Sequence, residues 1–449
     1  MLLLCDVPVP GLPNRGINLQ PITAAENPND DLLVSLLEHD AVSMDTLHER
    51  YGALLELVRV LIGVVPNCDR YLEIWPPAFR TRNLIVPNFL NLPFAIFGVG
   101  KAPKEMVGLG MYVASRAAEC PYCTAHTCSY ALRRGADPRT VATAFLVDAN
   151  FSGKELAVIA VARSLSRIPC ELSKDEHSIL QQHYSPAEAE WIVLGIAMMG
   201  FLNKFMDATG VQLETSTVAE TRQTMGENWT PGKAGRTLEH NDIAEKPASD
   251  SLWTRLSVIK HAPAALKLDK KWQLGVPDSW PEVGDYLQQH TGYNFPVLSQ
   301  LGSTRAVRAI ATTLRENLDP SQSTIGIDIK IMAGIVFCKV IQDDQLQTVV
   351  TNLTSTEQLT ETQIDSLEQF ATNPALSPPV ESAQNKALLN AARAASPSPA
   401  TISKDIVQQC QSAQISAQGI VELITWLAVL QMMHRLSSYL QYSGSNDTV

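Results

Sequence analysis

Glu119-Cys120-Pro121-Tyr122-Cys123-Thr124-Ala125-His126-Thr127-Cys128 puts two cysteines at C-x-x-C spacing and a histidine into one short segment. Proline lacks an amide hydrogen and suits the first helical position, so Pro121 predicts a helix start with Cys120 at the N-cap and Cys123 one turn inside. The unpaired amides and dipole at a helix N-terminus favour a thiolate, the species that attacks peroxides and disulfides. Cys120 and Cys123, and likewise Cys123 and His126, are three residues apart and share a helix face. One cysteine can attack while its neighbour resolves, so the segment reads as a dithiol redox site.

A zinc site competes for the same residues. Structural zinc sites draw two of four ligands from a second segment, and the chain has no second C-x-x-C. On a continuous helix Cys128 points away from Cys120. Neither a metal nor a cofactor is expected. Simple packing of buried Cys and His is the other alternative.

Composition describes the surroundings. With 449 residues, 45% of them hydrophobic and 18% charged, the chain can bury a large core and is long enough for two domains. A net charge of −11 and a pI near 5.4 predict no nucleic-acid partner and no anionic membrane surface. Met1-Leu-Leu-Leu-Cys5-Asp6 lacks a cationic start and does not read as a secretory signal. No uninterrupted apolar run reaches the roughly 18 residues of a membrane span. Eight scattered cysteines in so long a chain do not form a secreted disulfide framework, and a cytoplasmic location is expected.

Outward from the motif the pattern is helical nearly everywhere. Three-to-four apolar spacing predicts helices in 31–64, 104–118, 153–165 and 186–210, while strand-like alternation is missing. Arg133-Arg134-Gly135 is a stop signal for the cysteine helix. Residues 211–251 turn polar and lose their periodicity, which predicts a linker, taken as 216–250. The expected organisation is a helical domain over 1–215, this linker, and a second helical domain over 251–449. Within the latter, 374–403 reads as two loops flanking a helix over 385–395. Each half ends in a long apolar segment with a Met-Met pair, Glu190 to Asp207 and Ile420 to Leu436, so a duplication is expected. The stretch of the second half corresponding to the motif, near Lys330 to Val349, holds only Cys338.

Cys120-Pro-Tyr-Cys123-Thr-Ala-His126, Ala131-Leu-Arg-Arg-Gly135 and Phe201-Leu-Asn203-Lys204-Phe-Met-Asp207-Ala-Thr-Gly210 together resemble the AhpD-like, or carboxymuconolactone decarboxylase-like, superfamily over roughly 86–210. The resemblance implies an all-α fold. It also implies a C-x-x-C pair that reduces hydroperoxides, is recycled by a dithiol donor and is assisted by a histidine and a glutamate. The doubled layout with one degenerate half resembles the sestrins. The family histidine falls on Thr127 here, with His126 one position early, and the family glutamate falls on Gly108. Glu105 and Glu119 are the candidate replacements. On one straight helix Glu105 would lie about 22 Å from Cys120 and reaches it only if the chain folds back near 117–119. A carboxylate at Glu119 would raise the neighbouring thiol's pKa.

The site expected from the sequence is therefore Cys120, Cys123 and His126, with Glu105 or Glu119. Cys123 attacks a peroxide, Cys120 condenses with the sulfenic acid, and His126 moves the proton; the two cysteine roles can be exchanged. Expected partners are a hydroperoxide or disulfide substrate and a dithiol reductant or reductase, with a homo-oligomer or a pairing of the two halves. Tyr122, Trp191, Trp426 and His434 read as core, Arg116 as a surface ion pair, and Gly98-Val-Gly100-Lys101 as a helix-helix turn. Two other classes remain open: a cysteine-independent decarboxylase-like enzyme, and a non-catalytic redox-sensing or interaction protein.

Overall fold

A computed structural model describes residues 31–100, 102–146, 150–236, 252–354 and 359–443. Lys101 of the expected turn, Cys5 and residues 237–250 of the expected linker lie outside them. The protein is all-α, with no strand among the described residues.

The helices start and stop where local chemistry directs. Ser152, Ser173 and Ser185 close capping boxes with Glu155, Glu176 and Glu188, each satisfying two otherwise orphaned amides. Pro186–Thr209 ends at Gly210, whose φ of 76° is the left-handed geometry of a helix C-cap. The expected helix over 385–395 begins two residues earlier, at Ala383, because Ser382 caps it.

Helix order recurs along the chain. Lys104–Ala117, Pro121–Arg133, Pro138–Thr143, Gly153–Ser166, Lys174–His183 and Pro186–Thr209 are followed in the second half by Thr304–Asn317, Ile327–Ile341, Asp344–Thr351, Ala383–Ala395, Lys404–Ser412 and Ala417–Leu440. The first members of the two series both span 14 residues and the last both span 24. Glu361–Thr372 is an extra helix in the second series. Where Cys120 caps the cysteine helix, Gly326 occupies the corresponding cap, followed by Ile327-Asp-Ile.

The two halves share one continuous apolar core, centred on the packing of Pro186–Thr209 against Ala417–Leu440. The first of these is long and apolar enough to cross a membrane, which the search for an uninterrupted apolar run missed; 94% of its apolar window is buried inside the protein. The helices approach so closely at Gly200 that a Cβ there would lie 2.8 Å from the Gln431 carbonyl oxygen and 3.1 Å from the Met432 Cα. Gly200→Val must push backbone from backbone and is expected to cost about 1–3 kcal/mol, or more, read as a lower urea midpoint. Gly52→Ala, where nothing lies within 4 Å, is the control expected to leave the midpoint in place or raise it.

The polar stretch read as a linker is folded at its start. Thr215–Met225 is a helix that buries Val218, Thr221 and Met225 beside the cysteine helix, and Trp229 and Ala234 follow it into the core. Apolar residues there recur only once per turn, too sparsely to stand out among the threonines and glutamates.

Candidate active site

Cys120 is the N-cap of Pro121–Arg133 and Pro121 opens the helix, as the sequence predicts. The chain reverses at Glu119, whose φ of 52° lies in the left-handed region, and the cysteine helix packs back along Lys104–Ala117. Cys120 Sγ accepts the Cys123 amide hydrogen at 3.3 Å. Cys123 in turn has its thiol against the Cys120 sulfur and the side chain of Asn203. Both thiols are buried, and burial first, then the Cys120 hydrogen bond, pushes the Cys123 pKa well above its ordinary value.

His126 sits one turn further along. Its Nδ1 is 3.0 Å from the Tyr122 carbonyl oxygen and its Nε2 is 2.9 Å from Glu214 Oε2. With an acceptor facing each ring nitrogen, the site favours the doubly protonated ring. Burial alone would push the His126 pKa down, but the charge and hydrogen bond of Glu214 outweigh it and hold the value above normal. Burial likewise opposes ionisation of Glu214, and His126 overcomes it to hold the carboxyl below its usual range.

Glu214 is the residue the sequence reading missed. Its Oε1 accepts from the Asn67 amide at 2.6 Å and the Tyr122 hydroxyl at 3.2 Å, and its Oε2 accepts from the Thr217 hydroxyl at 3.1 Å. Tyr122, read as core with its hydroxyl as the other possible contribution, also accepts the Cys68 amide hydrogen at 3.3 Å and stacks obliquely on His126 with ring centroids 4.5 Å apart. One signal could have exposed Glu214: it stands just before Thr215, at the head of a segment whose Val218, Thr221 and Met225 follow three-to-four spacing.

Neither expected glutamate partners His126. Glu105 lies in the first turn of Lys104–Ala117, at the end of the antiparallel pair remote from Cys120. Glu119 is half-buried, and burial followed by the charge of Asp207 raises its pKa, with no hydrogen bond to the thiols. At Gly108, the family's glutamate position, a Cβ would lie 2.8 Å from the Ala131 Cα, so the close helix pairing excludes a glutamate there. Thr127, at the family's histidine position, spends its hydroxyl on the Cys123 carbonyl oxygen at 2.7 Å. Among the described residues Arg116 makes no ion pair with a carboxylate: it donates to the Tyr112 hydroxyl at 3.0 Å and the Asn228 carbonyl at 3.2 Å. His434 is buried in the core, with Nδ1 2.6 Å from Asp343 Oδ2.

A cavity of about 70 Å³ opens beside the site. Met111, Met198, Met199 and Met206 give it an adaptable apolar wall, while Cys123, His126, Cys68 and Arg82 supply its polar edge. Cys120 is not part of the lining. Arg82 is turned toward the buried Asp69, 3.3 Å away, whose pKa burial raises to about 6.

No protein-family model matches the chain, and no curated protein matches it significantly. Among solved structures, 41% of the chain is similar to 96% of the debrominase Bmp8 without ligand, at 24% identity and a TM-score of 0.35. A cysteine-to-alanine form of the same debrominase in complex with 2,3,4-tribromopyrrole gives the same identity and TM-score over 95% of its length.

Proposed function

We propose that this protein is a thiol-dependent oxidoreductase of AhpD-like type that reduces a hydroperoxide through a Cys120–Cys123 dithiol–disulfide cycle. The observation that carries this reading is the hydrogen-bonded cysteine pair at a helix N-terminus, with Cys123 and a Glu214-bound His126 facing one apolar cavity.

The Cys123 thiolate attacks the terminal peroxide oxygen; an S–O bond forms, the O–O bond breaks, and the alkoxide leaves. His126, kept protonated by Glu214, gives the leaving oxygen its proton. Cys120 then attacks the sulfenic sulfur, forming the disulfide and releasing water. Two electrons have passed from the dithiol to the peroxide. An external dithiol returns them by thiol–disulfide exchange and is itself oxidised to a disulfide.

The test is stoichiometric. Reduced protein mixed with one equivalent of an organic hydroperoxide is expected to lose two free thiols and yield one equivalent of alcohol. Full retention of thiols alongside intact peroxide would reject the reading.

A further inference from the structure

We propose that Arg82 is the substrate-binding cation of the cavity beside Cys123, and that the hydroperoxides this site favours carry a carboxylate on an apolar body. This rests on the reading of the cysteine pair as a hydroperoxide reductase and adds to it the chemical class of the substrate.

Arg82 lies in the helix Pro76–Phe89 and lines the same cavity as Cys123 and His126. Most of the remaining wall is apolar, with Val58, Leu61, Val86, Leu90 and Leu202 beside the four methionines. Among the described residues no aspartate or glutamate lines it. Cationic side chains set in an apolar wall suit a ligand that is apolar over most of its surface and anionic at one end.

The two cations differ in what they have left to offer. The ring nitrogens of His126 already face the Tyr122 carbonyl oxygen and Glu214. Arg82 is only 5% exposed, yet it makes one hydrogen bond among the described residues, from Nη1 to Asn83 Oδ1 at 2.8 Å. Its Nε is buried without an acceptor. Asp69 stands 3.3 Å from Nη1, but neither of its oxygens is hydrogen-bonded, and it does not line the cavity. Burial also raises the Asp69 pKa to about 6, which weakens its claim on the arginine. A guanidinium presents five donors in a fork that matches a carboxylate. Donors left idle in a buried site are costly, and a ligand carboxylate would satisfy them by charge-assisted hydrogen bonds. Arg305, at the neighbouring cavity of about 40 Å³, is the contrasting case: its Nε, Nη1 and Nη2 are spent on Asn88, Asn91 and the Leu92 carbonyl oxygen.

The experiment compares kcat/KM for cumene hydroperoxide bearing a para-carboxylate with that for the para-carboxamide, which has nearly the same shape and no charge. Wild type is expected to prefer the acid by about tenfold or more, and Arg82→Gln to cut that ratio by about the same factor. A purely structural arginine predicts that both substrates suffer alike and the ratio stays in place. Equal rates in wild type, or an unchanged ratio in the variant, would overturn the proposal. If Arg82→Gln does not fold because Asp69 is left buried and unpaired, adding Asp69→Asn removes both charges and the same ratio is read from the double variant. Calorimetric binding of para-isopropylbenzoate and its carboxamide, neither of which holds a peroxide, tells the two ideas apart. An arginine-dependent preference for the benzoate without peroxide turnover rejects the peroxidase reading alone, and turnover with no preference for the acid rejects this inference alone.

Discussion

Cys123→Ser is expected to lower steady-state peroxide consumption by on the order of a thousand-fold or more, because it removes the attacking sulfur from the cavity. Cys120→Ser should block steady turnover as severely, yet by a different route. Cys123 still faces the cavity in that variant and still reacts once, but the sulfenic acid has lost the Cys120 thiol with which it condenses. One equivalent of peroxide should therefore disappear in a single burst, leaving a sulfenic acid on Cys123 that a dimedone-type reagent traps. Cys123→Ser should show neither burst nor adduct. If the adduct instead forms on Cys120 in Cys123→Ser, the two roles are exchanged; if both variants match wild type, the pair takes no part in the chemistry. The difference between the variants follows from the cavity, since the Cys123 amide donates to the Cys120 sulfur and so joins the two residues, but only Cys123 lines the space where substrate would lie.

Glu214→Gln is expected to cost about 3 kcal/mol of stability near pH 6 and to depress turnover along with it. Removing one partner of a buried ion pair leaves the other charge uncompensated, and four donors converge on this carboxylate. The pH dependence carries the signature. His126 has a folded pKa raised above its ordinary 6.5, so its contribution is fully present below that value and is lost as pH rises through the folded pKa. Glu214 has a folded pKa depressed below its ordinary 4.5, so its contribution is present above that value and is lost as pH falls through the folded pKa. Wild type should thus gain most from the pair between about pH 4.5 and 6.5. Urea midpoints at pH 5, 6 and 9 should show the variant's deficit shrinking at pH 9. A deficit of constant size across that range would mean that the carboxylate acts by packing and neutral hydrogen bonds, without the ion pair.

Much of the local design could be read from the chain. Pro121 sets Cys120 at the cap because proline has no amide hydrogen to waste there, and Gly135 ends the helix because its φ of 96° suits a residue without a side chain. A fold-back near 117–119 stood only as the condition for Glu105 to reach the site; the chain does reverse, at Glu119, without bringing Glu105 there. Helix content followed from apolar spacing, and that spacing is imposed by burial, so it persists in the sequence of Pro186–Thr209 and Ala417–Leu440.

The partners of these residues were a different matter. His126 could be seen to want a carboxylate, but Glu105 and Glu119 were chosen for nearness in sequence, and nearness in sequence does not measure distance once helices pack antiparallel. Glu214 reaches the ring because the chain turns back after Gly210 and caps a short helix beside the motif; no periodicity marks a single ionic contact. The sequence by itself determined the helices, the cap and the placing of the cysteine pair, because those depend on residues within one or two turns of each other. Only the tertiary structure decided that Glu214 is the carboxylate that meets His126, because electrostatic partnership depends on distance through space and on the burial that strengthens it.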